Sequence, residues 1–349
     1  MSRPGEAMRI VMCATSFLPF VGGLEIVSDM VAHALAAAGH DVTVLTLENG
    51  PAMPERGYRL VRRPGFGTAL RVLRAADVVV MQNVGLKMLP PVLLSGTPLV
   101  VWHHSELGDG VDRHAMRKRW VMRHLVAANL GCSDYVTANL PDDRPRATLC
   151  SPYDPERMFE EPGVVRDGEL VMLGRLVSDK GFDVALRALA LPGGPLGDAR
   201  VTIVGDGPER VLLEALVVEL GIAERVTFAG RLGGGALRHA LNAHKVLVVP
   251  SVWQEPFGIV ALEGLACGCS VVVSAAGGLP QAGGPTARTF RPGDPEDAAR
   301  AIAEALAAPR DPAPEARLAH LAAQRADAVA ARLVALIAPH ARKPARKAA

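Results

Sequence analysis

Short apolar runs of strand length alternate with longer helical patterns along almost all of the 349 residues. Met8–Cys13 is such a run. It is followed by a loop, Phe17–Gly23, and then by Leu24, Val27, Met30, Val31, Ala34 and Leu35 at helical spacing, stopped by Gly39. Asp41–Leu47, Asp77–Gln82, Pro98–Trp102 and Thr148–Ser151 are the further strand candidates of the first half. Such β-α alternation, with strands apolar on both faces, predicts a parallel sheet covered by helices on both sides.

The pattern pauses over Pro152–Asp167, which is rich in Pro, Glu, Arg and Asp, and restarts at Glu169–Gly174. Arg200–Gly205, Arg225–Ala229, Lys245–Pro250 and Ser270–Ser274 follow as strands. This predicts two doubly wound domains with a linker near Tyr153–Asp167, and a cleft between them as the default ligand site. The domains expected are 1–155, 165–310, and a C-terminal helix with a basic tail over 311–349, frayed from Pro339 onward.

Composition removes several function classes. With a formal charge of +2, net charge does not argue for a nucleic-acid partner. The five cysteines form no C-x-x-C pair, so they read as reduced, buried thiols rather than a zinc site or disulfide framework. The polar start and the absence of an apolar run of membrane-spanning length predict a cytoplasmic protein.

Three stretches of the second half carry chemistry. Gly174-Arg-Leu-Val-Ser-Asp-Lys-Gly181 follows a strand, so Arg175 and Lys180 sit where a helix opens. A guanidinium fork and a compact ammonium there suit a diphosphate; two solvated surface bases are the competing reading. Val204-Gly-Asp-Gly-Pro208 is a second strand-to-helix turn, in which Gly205 and Gly207 permit close backbone approach and Pro208 suits the first helical position. Pro250-Ser-Val-Trp-Gln-Glu255-Pro-Phe-Gly258 ends a strand and opens a helix near Phe257–Gly258, with Glu263 inside that helix. The helix start offers unpaired N–H groups and a positive dipole end to a phosphate. Glu255 and Glu263 flank it and can accept hydrogen bonds from hydroxyls.

The first half has fewer signals. Gly22 and Gly23 close a loop after the first strand, where backbone amides can approach an anion, but without the G-x-G-x-x-G spacing of dinucleotide sites. His103 and His104 stand at a strand end, poised for hydrogen bonding or proton transfer. A structural pair is the alternative, and a metal is disfavoured because adjacent strand residues diverge. Arg113–Arg123 is a basic stretch with interspersed apolar residues. It reads as a solvated face, a membrane-surface helix or the lining of an acceptor channel.

From Gly174 to Asp297 the chain resembles the retaining glycosyltransferases of family 4 (glycosyl transferases group 1), which have the GT-B fold of two Rossmann-like domains facing each other across a cleft. Glu255 and Glu263 match the family's two glutamates separated by seven residues. The first there contacts the donor sugar and the second the ribose. Arg175 and Lys180 match the pair that holds the donor diphosphate. Val226–Leu232, with Phe228 and Arg231, looks like the stretch lining the base pocket. Phe257, Gly258, Ile259 and Val260 fall at the family's phosphate-binding helix start. Ala275–Pro280 resembles its Gly-rich loop, with Gln281 where many members carry an acid. Gly22 and Gly23 match the Gly-Gly loop of the first domain. His103 falls at the family's active-site histidine, or His104 if the register shifts by one.

The resemblance implies retaining transfer of a hexose or N-acetylhexosamine from a UDP- or GDP-sugar to an acceptor hydroxyl. Catalytic positions would be His103, Arg175, Lys180 and Glu255. It implies a nucleotide-diphospho-sugar as donor substrate, no separate cofactor and, with no D-x-D motif, no metal clamp. The competing functions are a nucleotide-sugar epimerase on the same fold and a non-catalytic nucleotide-sugar-binding subunit. The acceptor, the oligomeric state and the choice between UDP and GDP are not readable from the sequence.

Overall fold

The computed structural model describes residues 7–19, 22–51, 55–106, 113–309, 311 and 313–342. Phe20 and Val21 of the Gly-Gly loop and residues 343–349 of the basic tail lie outside this set. The chain forms two α/β units, Met1–Pro152 with Gln324–Ala349, and Tyr153–Ala323.

The first unit holds strands β1 (Arg9–Ala14), β2 (Asp41–Thr46), β3 (Arg59–Arg62), β4 (Val78–Gln82), β5 (Leu99–His103), β6 (Ala128–Gly131) and β7 (Arg146–Thr148). They form one sheet in the order β3-β2-β1-β4-β5-β6-β7. All pairs are parallel, and Met12 of β1 lies between Val44 of β2 and Val80 of β4. Every residue of β4 and β5 is buried, as expected where helices cover both faces.

The second unit holds β8 (Gly168–Leu173), β9 (Val201–Val204), β10 (Val226–Gly230), β11 (His244–Val249), β12 (Ser270–Ser274) and β13 (Arg288–Phe290), in the parallel order β10-β9-β8-β11-β12-β13. Both sheets reverse strand order beside their first strand, between β1 and β4 and between β8 and β11. In such sheets ligands bind outside the carboxyl ends at that switch point.

Four expectations change. The strand expected at Thr148–Ser151 is β7, earlier in the chain. The linker expected over Tyr153–Asp167 is folded onto the second unit. There the Arg166 guanidinium donates to the carbonyls of His244 (2.6 Å) and Cys267 (2.7 Å). Pro208 is not the first residue of its helix, which begins at Arg210. The end of the chain is tied down as far as Arg342, which donates to the carbonyls of Arg74 and Ser95. Ahead of it, the helix Ala326–Ile337 buries Val329, Ala330, Leu333 and Ile337 and packs on the helix Gly23–Ala37.

Candidate functional site

In the second unit the loops after β8, β9 and β11 interlock through glycines. Gly205 has φ +149°, and a Cβ there would lie 1.8 Å from the Gly174 carbonyl oxygen. Gly181, at φ +63°, would meet the Pro250 carbonyl at 2.1 Å. Both positions therefore require glycine twice over, for conformation and for space. The interlock sets Arg175 and Lys180 beside the loop that leaves β11.

Lys180 Nζ forms an ion pair and hydrogen bond with Glu255 Oε1. Ser251 Oγ donates to the same oxygen at 2.7 Å, and Ser274 Oγ donates to the Ser251 carbonyl at 2.6 Å. Glu255 is 7% exposed. A charge so buried requires partners, and it has two, both on Oε1. Oε2 accepts no hydrogen bond among the described residues. The Gly-rich loop holds the backbone here: Gly278 N–H donates to the Glu255 carbonyl at 2.6 Å, and Gly277 N–H to Gln254 Oε1 at 2.6 Å. Trp253 lies against Lys180, with Nζ 5.7 Å from its ring centroid.

Gly258, at φ +101°, precedes the helix Ile259–Ala266. The first N–H groups of any helix lack intrahelical acceptors, and here they sit directly after the Glu255 loop. Glu263 is half-buried in the second turn, and its carboxyl has no hydrogen-bond partner among the described residues. Burial pushes its carboxyl up to about 7, opposed only by Arg157.

The other predicted donor contacts differ in exposure. Arg175 is exposed and has no ion partner among the described residues. Ile259 and Val260 are half-buried. Phe228 is half-buried under the Arg210 guanidinium, 5.8 Å away. Arg231 is exposed, with only a 3.9 Å approach to Asp206. Phe257 is a core residue, 3% exposed, so its ring packs rather than presenting a face. Sequence reasoning gave no role to Ser251, Ser274 or Gln254. The position of Ser251 directly after the strand, four residues before Glu255, was the available signal.

In the first unit Gly22 precedes the helix Gly23–Ala37 with φ −141°. A Cβ there would come 2.4 Å from Glu25 Oε2, a mobile side-chain end that can move aside, so nothing in the backbone demands glycine at this position. The two histidines between which the sequence left the choice open differ in their surroundings. His103 is 1% exposed, with Nε2 3.0 Å from Asn129 Oδ1. Burial lowers its pKa to about 4. β5 points it into the core, where it is structural. His104 emerges half-buried at the strand end, with Nε2 2.5 Å from Gln82 Oε1 and its backbone N–H donating to Asn83 Oδ1 at 2.8 Å. Burial and then the neighbouring His103 lower its pKa to about 3, so its imidazole is neutral at physiological pH. Gln82 Oε1 accepts only from an Nε2–H tautomer, which leaves Nδ1 as an acceptor.

The helix Arg113–His124 carries Met116 and Trp120, 53% and 56% exposed, with Arg113, Arg117 and Arg123 also exposed. Among the described residues no group of three His, Cys, Asp or Glu side chains could hold a metal ion, and no helix is long and apolar enough to cross a membrane.

Comparison with known proteins bears on the family and the fold. Residues 155–322 match the model of the family Glycosyl transferases group 1. The 2-deoxystreptamine glucosyltransferase of Streptomyces kanamyceticus is 33% identical over 221 residues, covering 60% of this chain and 56% of that protein. The D-inositol 3-phosphate glycosyltransferase of Mycolicibacterium vanbaalenii is 38% identical over 164 residues, covering 43% of this chain and 35% of that protein. The matches thus span about half or less of the relatives' own length. The crystal structure of Anabaena HepE in complex with UDP and glucose superposes with a TM-score of 0.73 at 17% identity, over 95% of this chain and 99% of that one. Both sheets are doubly wound, all the glycine-locked loops lie inside the stretch that matches glycosyl transferases group 1, and the two-unit chain has the GT-B fold.

Proposed function

We propose that the protein is a retaining glycosyltransferase that moves a hexose or N-acetylhexosamine from a UDP- or GDP-sugar to an acceptor hydroxyl. The observation that carries this reading is the Lys180–Glu255–Ser251 cluster at the switch point of the second sheet. It is next to an unpaired Arg175 and a helix start. The relatives named above as glycosyltransferases support it.

The diphosphate would take Arg175, Lys180 and the N–H groups at Ile259 and Val260. This places three sources of positive potential where negative charge grows as the sugar–phosphate bond breaks, in the manner of a preorganised oxyanion site. These groups would take the part a metal clamp plays elsewhere, so the donor would need no cofactor. Glu255 Oε2 would accept a hydrogen bond from a sugar hydroxyl, while Oε1 stays held by Lys180 and Ser251. Glu263 would accept from the ribose hydroxyls, and Gly205, Phe228 and Arg231 would border the nucleotide. The acceptor oxygen would bond to the anomeric carbon on the face the phosphate leaves. Its proton would pass to the departing phosphate oxygen. In the first unit, Nδ1 of His104 is the acceptor we assign to a substrate hydroxyl.

The exposed Met116 and Trp120 between arginines favour one added contact: the helix Arg113–His124 lying on an anionic membrane. Co-sedimentation with anionic vesicles should fall when Arg113 and Arg117 become Gln. Absence of wild-type binding would end that reading.

The transferase reading is tested by thermal shift and nucleotide release across a panel of nucleotide sugars, with Glu263→Ala and Arg175→Ala alongside. One nucleotide sugar should stabilise the wild type selectively and neither variant. Rapid donor conversion to another sugar without acceptor would indicate an epimerase. Binding without any turnover would indicate a non-catalytic subunit. No response to any nucleotide sugar would reject the donor site.

A further inference from the structure

Outside the carboxyl ends of β1 and β2, the first unit opens into a cavity of about 160 Å³ between the helices Phe66–Ala75 and Leu89–Ser95. The side chains that line it are mostly apolar, among them Leu45, Leu47, Phe66, Leu73, Met88 and Val92. Leu45 and Leu73 are fully buried, whereas Phe66 stands at the mouth, 53% exposed. Lys87 is the single charged lining residue among the described residues. It is exposed, and so is Arg63, the neighbour of the lining residue Pro64. Neither makes an ion pair among the described residues.

The position is not that of an ordinary packing fault. Leu45 is the penultimate residue of β2, Leu47 follows that strand, and Lys87 lies in the loop after β4. This is the end of the sheet at which open α/β units bind ligands, and the end that carries Gly22 and His104. In size, an apolar cavity of about 150 Å³ accepts a benzene-sized guest. The cavity therefore fits one ring or an alkyl segment of about six carbons. An exposed, unpaired ammonium at the rim is a point-charge partner for a phosphate.

We propose that this cavity binds the acceptor, and that the acceptor is an amphiphile whose apolar segment of about six carbons fills it while a phosphate meets Lys87. The proposal rests on the transferase reading and adds to it the chemical class of acceptor. The apolar walls select against a wholly hydrophilic sugar. Such a sugar would leave its hydroxyls without partners there.

Calorimetric titration of the full chain with n-alkyl phosphates from ethyl to decyl tests it. Affinity should rise about fourfold per methylene up to about hexyl and then level off as the cavity fills. Ala69→Phe, which places a ring in the cavity, should abolish the dependence on chain length; so should Leu47→Trp at the rim if the first variant does not fold. Lys87→Gln should reduce hexyl phosphate to the affinity of hexanol. Binding that ignores chain length, that keeps rising to decyl, or that survives both filling variants would overturn the proposal. The thermal shift with nucleotide sugars is read on the same samples. A donor response without alkyl phosphate binding rejects only the acceptor class. Alkyl phosphate binding without any donor response rejects the transferase reading.

Discussion

At the strand ends of the first unit two histidines are neutral and paired with amides: His103 with Asn129, His104 with Gln82. At the strand ends of the second unit they are charged and paired with each other, as in Lys180 and Glu255. The sheet orders are the same around the switch point, so topology does not cause the difference. The second unit closes its loops backbone to backbone through Gly181 and Gly205. That holds two long charged side chains in one place. The first unit instead leaves an apolar hollow between two helices. A rigid charged cradle suits a ligand that keeps its diphosphate from one reaction to the next. A hollow with a single cation at its rim suits a ligand that must be told apart by its apolar part.

The comparison is most open to failure at the glycines. Gly205→Ala drives a Cβ into the Gly174 carbonyl and should cost at least about 4 kcal/mol in denaturant unfolding. Gly39→Ala in the first unit, at φ +91° but with open space around it, should cost about 1 kcal/mol. Equal costs would mean that the loops of the second unit are not locked.

Next in size is the charged cradle. Lys180→Met should lower glycosyl transfer by about 100-fold or more, the scale on which a preorganised charge stabiliser acts. Combined with Glu255→Gln the two losses should not add, because both variants break one contact. Full additivity in steady-state kinetics would separate the two residues.

The histidines sharpen the contrast further. His104→Ala should reduce turnover by about tenfold with the melting temperature nearly unchanged. His103→Ala should do the reverse, costing about 2 kcal/mol of stability through the lost core contacts and the orphaned Asn129. Both folded pKa values lie below the free value of 6.5. The unfolded chain therefore binds protons that the folded one does not. Stability should fall as pH drops from about 6.5 towards 4, and His103→Gln should flatten that limb.

The last effect belongs to Glu263 and reaches its full size only at alkaline pH. Its folded value of about 7 lies above the free value of 4.5. Here the folded state holds the proton, so stability declines as pH rises through that interval. Glu263→Gln should be more stable than the wild type at pH 8 by up to about 3 kcal/mol and nearly indistinguishable from it at pH 4.5. A variant equally stable at both values would show that Glu263 is well solvated.

Much of the architecture was legible in the residues. The long apolar runs such as Asp77–Gln82 and Pro98–Trp102 read as strands, because a parallel sheet covered on both faces leaves no polar alternation to confuse. β3, β6 and β13 were not read, since Arg-Leu-Val-Arg, Ala-Asn-Leu-Gly and Arg-Thr-Phe are short and too polar to stand out; pairing alone makes them strands. The histidine register was also out of reach. Two adjacent residues at a strand end point to opposite faces, and which face is core depends on the helices that cover it.

What the sequence determined by itself is the order of the strands along the chain, the glycine-bearing turns and the residue types at each strand exit, because these follow from local period, backbone freedom and charge. Tertiary structure alone decided that Lys180 and Ser251 share one oxygen of Glu255, that Phe257 is core, that His104 rather than His103 reaches the strand end's open side, and that a hollow lies beside Lys87. Each of these depends on residues far apart in the chain being pressed together by packing, and no local pattern encodes which side chain then finds a partner and which is left without one.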